Sequence, residues 1–229
     1  MNEIHHRNFG QLLCDAIFFE KMAKKESDQI ILRKYARSSI LMSTLTLECA
    51  ANCCLNQFSA NKQLLNDIDK LPFLSKFDLF AVLGFEKKID YGRTEVQKIN
   101  ELKHIRDSIV HSKVTKTKLG SINQRDRTFF AEAANSSFSI KPKSGTGILD
   151  NYQLVGHKDC FSALKSVIEF YNYFFSELLA MNKGLVFGLL NDTILSENEP
   201  AASYPPELFS EQEYLMSVGI EQVFWVLKP

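Results

Sequence analysis

The segment "SSILMSTLTLECAANCCLNQF" at positions 38–58 constrains the fold of this chain most strongly, because it contains neither glycine nor proline. Those two residues are the ones that most often interrupt a helix. Apolar residues recur in the segment at helical spacing. They are Ile40, Leu47, Ala51, Cys54, Leu55 and Phe58. The pattern predicts a long amphipathic core helix within about residues 28–58.

Other helical patterns lie on both sides of this segment. Apolar residues recur at helical spacing in residues 8–25, 94–111 and 157–181. A shorter helix is delimited by Pro72, which suits a first turn, and by Gly84, which suits a C-terminal stop. The sequence therefore predicts an all-α antiparallel bundle of four main helices plus a short helix.

Residues 117–156 differ from the rest in composition, with four glycines and much serine and threonine. They predict an irregular insertion, with a short hairpin around "SSFSI" as the alternative. The later stretch "SENEPAASYPPE" predicts a linker. We therefore expect a helical domain at 1–190 that carries the insertion. A linker and C-terminal tail at 191–229 would pack on the body or on a partner.

Charge and cysteine content exclude several classes of protein. The 229 residues include 27 basic and 27 acidic side chains, so no global positive field for nonspecific nucleic-acid binding exists. No apolar run approaches the roughly 18 residues that span a bilayer, and "MNEIHHRNFG" lacks the apolar core of a signal peptide. The five cysteines have no framework spacing, which predicts reduced thiols. We expect a cytoplasmic protein without membrane contact.

Motifs for metal or cofactor binding are missing from the sequence. Cys49 and Cys53 lie one helical turn apart, but no second pair follows at the spacing of a zinc site. The chain has no P-loop, GxSxG, HExxH or GxGxxG motif. We therefore expect no metal and no cofactor.

The stretch "RDSIVHSK" at 106–113 places an arginine inside an apolar stripe. At about 100° per residue, Arg106 falls about 40° from Leu102 and within the apolar arc of its helix. Arginine is rarely buried without a partner. We therefore expect Arg106 at a partner interface, on an anion or against a carboxylate. Glu48, one turn before Asn52 on the long helix, is the candidate carboxylate.

Asp107 and His111 are four residues apart and share one helix face. A carboxylate in that position fixes which imidazole nitrogen is free for proton transfer. Ser108 lies near the same polar row and is a weaker candidate. Arg106 and His111 are separated by about 140° around a straight helix, so they do not point the same way.

The segment "LPFLSKFDLFAVLGF…INELKHIRDSIVHSKV" resembles the HEPN family (higher eukaryotes and prokaryotes nucleotide-binding domains). The signature of that family is an arginine, four to six residues and then a histidine near the end of a helix, which Arg106 and His111 match. Glu48 and Asn52 are similar to a glutamate–asparagine pair that is common in the family's second helix. The resemblance covers about residues 35–116 and the helix at 158–181, but neither the insertion nor the tail.

The resemblance implies an HEPN-like bundle that forms a homodimer and, for many members, metal-independent cleavage of RNA. In this chain Arg106 would bind phosphate and stabilise the transition state, His111 would act as general acid or base, and Asp107 would orient His111. Glu48, Asn52 and Ser108 would support them. A second subunit would bring Arg106 of one copy to a phosphate handled by His111 of the other. The implied setting is a toxin or phage-defence endoribonuclease, with a nucleotidyltransferase-like antitoxin as partner.

Three lysines after the signature, Lys113, Lys116 and Lys118, either follow an RNA backbone or are solvated loop charges.

Two functions other than RNA cleavage stay open. One is a non-catalytic HEPN-like module that binds a nucleotide, RNA or a protein. A plain helical dimerisation protein, in which Arg106 closes a buried ion pair, is the third alternative.

Overall fold

Two helices joined by a three-residue connection form the first part of the fold. They are α1 (Phe9–Lys25) and α2 (Gln29–Leu55). Asp28 caps α2, because its carboxylate accepts hydrogen bonds from the backbone N–H groups of Ile30 and Ile31. The structure is a computed structural model, and it describes residues 3–58, 62–110, 142–149, 151–195 and 201–220.

The remaining helices follow in two groups on either side of the insertion. Before it lie α3 (Lys62–Asp69), α4 (Phe73–Phe85) and α5 (Thr94–Val110). After it lie α6 (His157–Tyr171), which continues as a π-helix (Asn172–Leu178), and then α7 (Lys183–Leu190) and α8 (Leu208–Ser217). The all-α class predicted from the sequence is confirmed.

Helix α2 lies at the centre of the molecule and contacts α1, α4, α5, α6 and α7. The apolar arc predicted for it is buried from Ile40 to Leu55, with Ile40 and Leu47 fully inaccessible, whereas Phe58 lies beyond the end of α2 and is half-buried. By length and composition α2 is the one described helix that could cross a bilayer, yet 61% of its most apolar 18-residue window is buried within the protein. A buried core helix has the same length and apolarity, and the contacts of α2 are those of a core helix.

Aromatic packing fixes α4 against α6 and the π-helix. The ring of Phe77 on α4 lies edge-on to Phe170 and Phe174, with centroids 5.1 and 4.7 Å apart. All three side chains are fully buried. Such pairs stabilise a fold beyond the area they bury. They hold the start of α4, which contributes to the site described below, in a fixed position relative to α2.

A small antiparallel sheet joins the two ends of the chain. Its strands, in the order β1-β2-β3, are Glu3–His5, Asp192–Leu195 and Ala201–Ser203. Arg7 follows β1, and its guanidinium donates to the carbonyl oxygens of Gly188 and Asn191. This sheet was not predicted, because strands of three or four residues are too short to show an alternating pattern.

Helices α3, α7 and α8 add to the four main helices and one short helix expected from the sequence. Each of these three has only eight to ten residues, about two to three turns, which gives weak periodicity. Helix α8 lies in the part of the chain predicted to be a tail, and it packs on α1. The hairpin considered around "SSFSI" lies outside the described residues.

Candidate functional site

A polar cleft of about 410 Å³ opens between α2, α4 and α5. We call it the basic cleft. The segment from Asp69 to Phe73, which connects α3 to α4, forms one edge of it. The lining residues are Glu48, Asn52, Asp69, Lys70, Leu71, Pro72, Phe73, Lys76, Lys103 and Arg106. Four of these residues are basic and two are acidic, so the cleft is locally positive although the chain as a whole is neutral.

Arg106 extends into the cleft from α5. Leu102 and Ile105, on the apolar face of the same helix, are buried in the core. Its guanidinium Nη2 forms an ion pair with Oε1 of Glu48 on α2, and its Nε lies 3.3 Å from Oδ1 of Asp107. The arginine side chain is 20% exposed and that of Glu48 is 37% exposed. The Glu48–Arg106 contact expected from the sequence is therefore present, and it faces a cleft rather than a sealed interior.

Lys76 enters the same cleft from the first turns of α4. Its side chain is only 7% exposed. The ammonium group donates to Oδ1 of Asn52 at 2.7 Å and lies 3.1 Å from Oδ1 of Asp69. Sequence reasoning missed this residue. The available signal was a lysine between Phe73 and Phe77, both of which are buried.

Some of the predicted site residues line the cleft, and others do not. Glu48, Asn52 and Arg106 line it, and Asp107 adjoins it through Arg106 and through Lys103, whose Nζ lies 3.5 Å from Oδ2 of Asp107. Ser108 is exposed, donates its hydroxyl hydrogen to the Ile105 carbonyl of its own helix and does not line the cleft.

Four predicted site residues lie outside the described residues: His111, Lys113, Lys116 and Lys118. Helix α5 ends at Val110, so His111 is the next residue along the chain. The expected contact between Asp107 and His111 remains a prediction. Within the described part of the chain, the carboxylate of Asp107 contacts Arg106 and Lys103.

A second cavity of about 360 Å³ lies on the other side of Glu48 and Asn52. Cys49 lines it, and a hydrogen bond with Cys53 lowers the pKa of the Cys49 thiol although burial opposes this change. The backbone N–H of Asn8 and the charge of Arg7 lower that pKa further. Among the described residues no group of three or more histidine, cysteine or acidic side chains could hold a metal ion.

A comparison of the chain with protein-family models, with curated proteins and with solved structures finds no match. The resemblance to the HEPN family therefore rests on the motifs quoted above. What the site can do has to be argued from its geometry. A locally positive cleft with two basic groups contributed by different helices is suited to an anion, and arginine and lysine are both common ligands of phosphate.

Proposed function

We propose that this chain is a metal-independent endoribonuclease of the HEPN type, acting as a toxin or in phage defence. The observation that carries the proposal is the position of Arg106. Its guanidinium faces a locally positive cleft and is held there by Glu48. An arginine in such a place can bind two phosphate oxygens at once.

The proposed reaction uses the 2′-hydroxyl of the RNA as nucleophile. Arg106 binds the scissile phosphate and offsets the charge that develops as the 2′-oxygen attacks phosphorus. His111 takes the proton from the 2′-hydroxyl or gives one to the leaving 5′-oxygen, because histidine is the side chain best suited to proton transfer near neutral pH. Asp107 orients His111. The products are a 2′,3′-cyclic phosphate and a 5′-hydroxyl, so neither a metal nor a cofactor is required.

A homodimer is part of this proposal. Arg106 and His111 are about 140° apart around α5 if the helical path continues, so one phosphate is reached more easily by residues of two subunits. Lys113, Lys116 and Lys118 would then contact the RNA backbone beyond the scissile bond. A nucleotidyltransferase-like antitoxin would restrain the enzyme in the cytoplasm.

A second candidate is a non-catalytic module that binds a nucleotide, RNA or a protein. The ion pairs of Arg106 favour it, because Glu48 and Asp107 already pair with the guanidinium within one subunit. An arginine satisfied in this way can hold α2 and α5 together without taking part in chemistry.

Cleavage of RNA in the presence of EDTA separates these candidates. We compare the wild type with Arg106→Ala, His111→Ala and the control His104→Ala, which changes an exposed histidine on the same helix. We expect cleavage by the wild type and the control and none by the other two. Cleavage that survives both Arg106→Ala and His111→Ala would refute the active site. Folded protein that binds RNA without cleaving it would support the second candidate.

A further inference from the structure

We propose that Lys76 is a second phosphate ligand of the basic cleft, and that it shares one phosphate group of the bound ligand with Arg106. This inference rests on the proposed function, because it assigns an additional ligand to the same site. The proposal follows from three observations on the described residues. They are the burial of Lys76, the weakness of its ion pair, and its position relative to Arg106.

The burial of Lys76 requires an explanation. Lysine is almost never buried unless it is paired, and the side chain of Lys76 is only 7% exposed. Its neighbours Phe73 and Phe77 are buried aromatic residues. An apolar side chain would pack at this position without the cost of removing an ammonium group from water.

The partners of Lys76 compensate its charge only in part. Asn52 is neutral, and the side chain of Asp69 is 73% exposed, so water screens its attraction for the ammonium group. An ammonium group has three N–H donors. Two are used by these residues, and the third has no partner among the described residues. The result is a buried cation with an unused donor beside a cavity.

The guanidinium of Arg106 also has an unused donor. Its Nη2 and Nε contact Glu48 and Asp107, while Nη1 has no partner in the part of the chain that the structure describes. Both cations line the same cleft. They approach it from different helices, α4 and α5, so a ligand in the cleft lies between them.

The partners of the two cations lie close together on α2. Lys76 contacts Asn52, and Arg106 contacts Glu48, which lies one turn earlier on α2. One helical turn is about 5.4 Å. Both cations also line the same cleft. A phosphate group has several acceptor oxygens, so one group placed there can accept from the guanidinium and from the ammonium.

Asp69 and Glu48 act as internal competitors of the ligand. Each carboxylate neutralises one of the two cations when the cleft is empty of phosphate. An incoming phosphate replaces carboxylate oxygens on Lys76 and Arg106, so its affinity is lower than two free cations would give. Removing the Asp69 charge should therefore strengthen binding, while removing Lys76 should weaken it.

Binding of a 2′-O-methyl RNA oligonucleotide to the full chain tests the inference without cleavage. Lys76→Met is compared with Lys98→Met, which also removes a partly buried lysine with an ion pair, here to Glu169 and away from the cleft. We expect Lys76→Met to weaken binding at least about tenfold. It should also reduce the slope of log Kd against log salt by about 0.7. Lys98→Met should change Kd by less than about twofold.

Asp69→Asn keeps the test decisive if Lys76→Met fails to fold. The exposed Asp69 carboxylate can be neutralised without disturbing the core. Its control is Glu177→Gln, which removes an equal charge that pairs at 2.8 Å with Arg93, a residue that does not line the cleft. We expect Asp69→Asn to bind the oligonucleotide more tightly than Glu177→Gln. Equal affinities, or a folded Lys76→Met with wild-type affinity and salt slope, would overturn the inference.

Two further arms separate this inference from the proposed function and identify the source of the phosphate. If binding depends on Lys76 but no variant cleaves RNA, the inference stands and the nuclease proposal fails. If cleavage depends on Arg106 and His111 while Lys76→Met binds normally, only the inference fails. Inorganic phosphate, added as a competitor of the bound oligonucleotide, is the second probe. Displacement at millimolar concentration that is weakened in Lys76→Met would indicate a free-phosphate site, and the absence of displacement would indicate a site for backbone phosphate.

Discussion

Glu48 on α2 and Arg106 on α5 form an ion pair across the basic cleft. The pair has opposite effects on stability and on ligand binding. It holds two helices together, and it occupies a guanidinium that an anionic ligand would use. Since both side chains are partly exposed, at 37% and 20%, the pair contributes modestly to stability and can open when a ligand arrives.

Glu48→Gln should separate these two effects. The amide keeps the size of the side chain but removes its charge. We expect the free energy of unfolding to fall by about 1 kcal/mol. Binding of a 2′-O-methyl RNA oligonucleotide should become several-fold tighter, because the cleft gains net positive charge. The control Glu177→Gln breaks an ion pair with Arg93 that is far more exposed. If Glu48→Gln bound the oligonucleotide and melted like the wild type, the ion pair would neither stabilise the fold nor compete with the ligand.

Glu20 should be more important for stability than any residue of the cleft. Its side chain is 1% exposed, and its two carboxylate oxygens contact Nε2 of His157 and the hydroxyl of Tyr214, each at 2.6 Å. It thus joins α1 to α6 and α8. In Glu20→Gln the amide nitrogen can no longer accept, so one buried contact is lost. We expect a loss of about 2–3 kcal/mol, or about 5–10 °C in Tm for a chain of this size.

Tyr214→Phe is the matched variant for this network. It removes one hydrogen bond but leaves the Glu20–His157 contact intact. We expect it to cost about 1–2 kcal/mol. Thermal unfolding followed by circular dichroism measures both variants. If Tyr214→Phe were as stable as the wild type, the hydrogen bond between Tyr214 and Glu20 would contribute nothing to stability.

Residue patterns alone predicted the central helix α2 and one contact of the site, the Glu48–Arg106 ion pair. The segment at 38–58 lacks glycine and proline and carries an apolar arc, so its burial as part of α2 was predictable. Arg106 lay within an apolar stripe, and the cost of burying an unpaired guanidinium called for a carboxylate such as Glu48. In both cases a local physical constraint left few alternatives.

Other features depend on contacts that no local pattern reveals. Lys76 reaches Asn52, which is 24 residues earlier in the chain, and only the packing of α4 on α2 brings them together. The sheet pairs residues near position 4 with residues near position 194. Loop 142–149 could be predicted as irregular, but its docking on α5 through Glu101 could not.

Glu101 should make the docking of this loop sensitive to acid. Burial raises the pKa of its carboxyl group, but hydrogen bonds from the backbone N–H groups of Thr146 and Gly145 and from nearby hydroxyls outweigh it, and the net pKa is lowered. A lowered pKa stabilises the fold above the ordinary carboxyl pKa of about 4.3. That contribution is lost as the pH falls through the lowered pKa of Glu101.

Urea unfolding between pH 6 and pH 3 measures this effect. We expect Glu101→Gln to be less stable than the wild type at pH 6, and the difference to shrink as the pH falls below about 4.3. The control is Glu86→Gln, which changes an exposed carboxylate after α4. A gap between Glu101→Gln and the wild type that did not depend on pH would contradict the assignment.

Cys49 should be the first cysteine to react with N-ethylmaleimide in the native protein. Its side chain is partly exposed, and a hydrogen bond with Cys53 lowers its pKa. The thiols of Cys14 and Cys160 are buried, and burial raises the pKa of each to about 12. Because the thiolate is the reactive form, we expect one fast modification at pH 7, located by peptide mass mapping. Simultaneous labelling of Cys14 or Cys160 would indicate that the native core opens.

Gly10 should be sensitive to the smallest possible substitution, because the C-terminal segment packs directly on the start of α1. A Cβ atom at Gly10 would lie 2.8 Å from Cδ of Pro205 and 3.1 Å from Oδ1 of Asn191. The proline ring is stiff, so the segment leading to α8 must shift. We expect Gly10→Ala to cost about 1–3 kcal/mol.

Gly188→Ala is the matched control, because its Cβ would meet nothing within 4 Å inside α7. That variant should gain about 0.5–1 kcal/mol from better helix propensity. Urea unfolding of the two variants tests the packing, and a stable Gly10→Ala would mean that α8 does not depend on the start of α1 for its position.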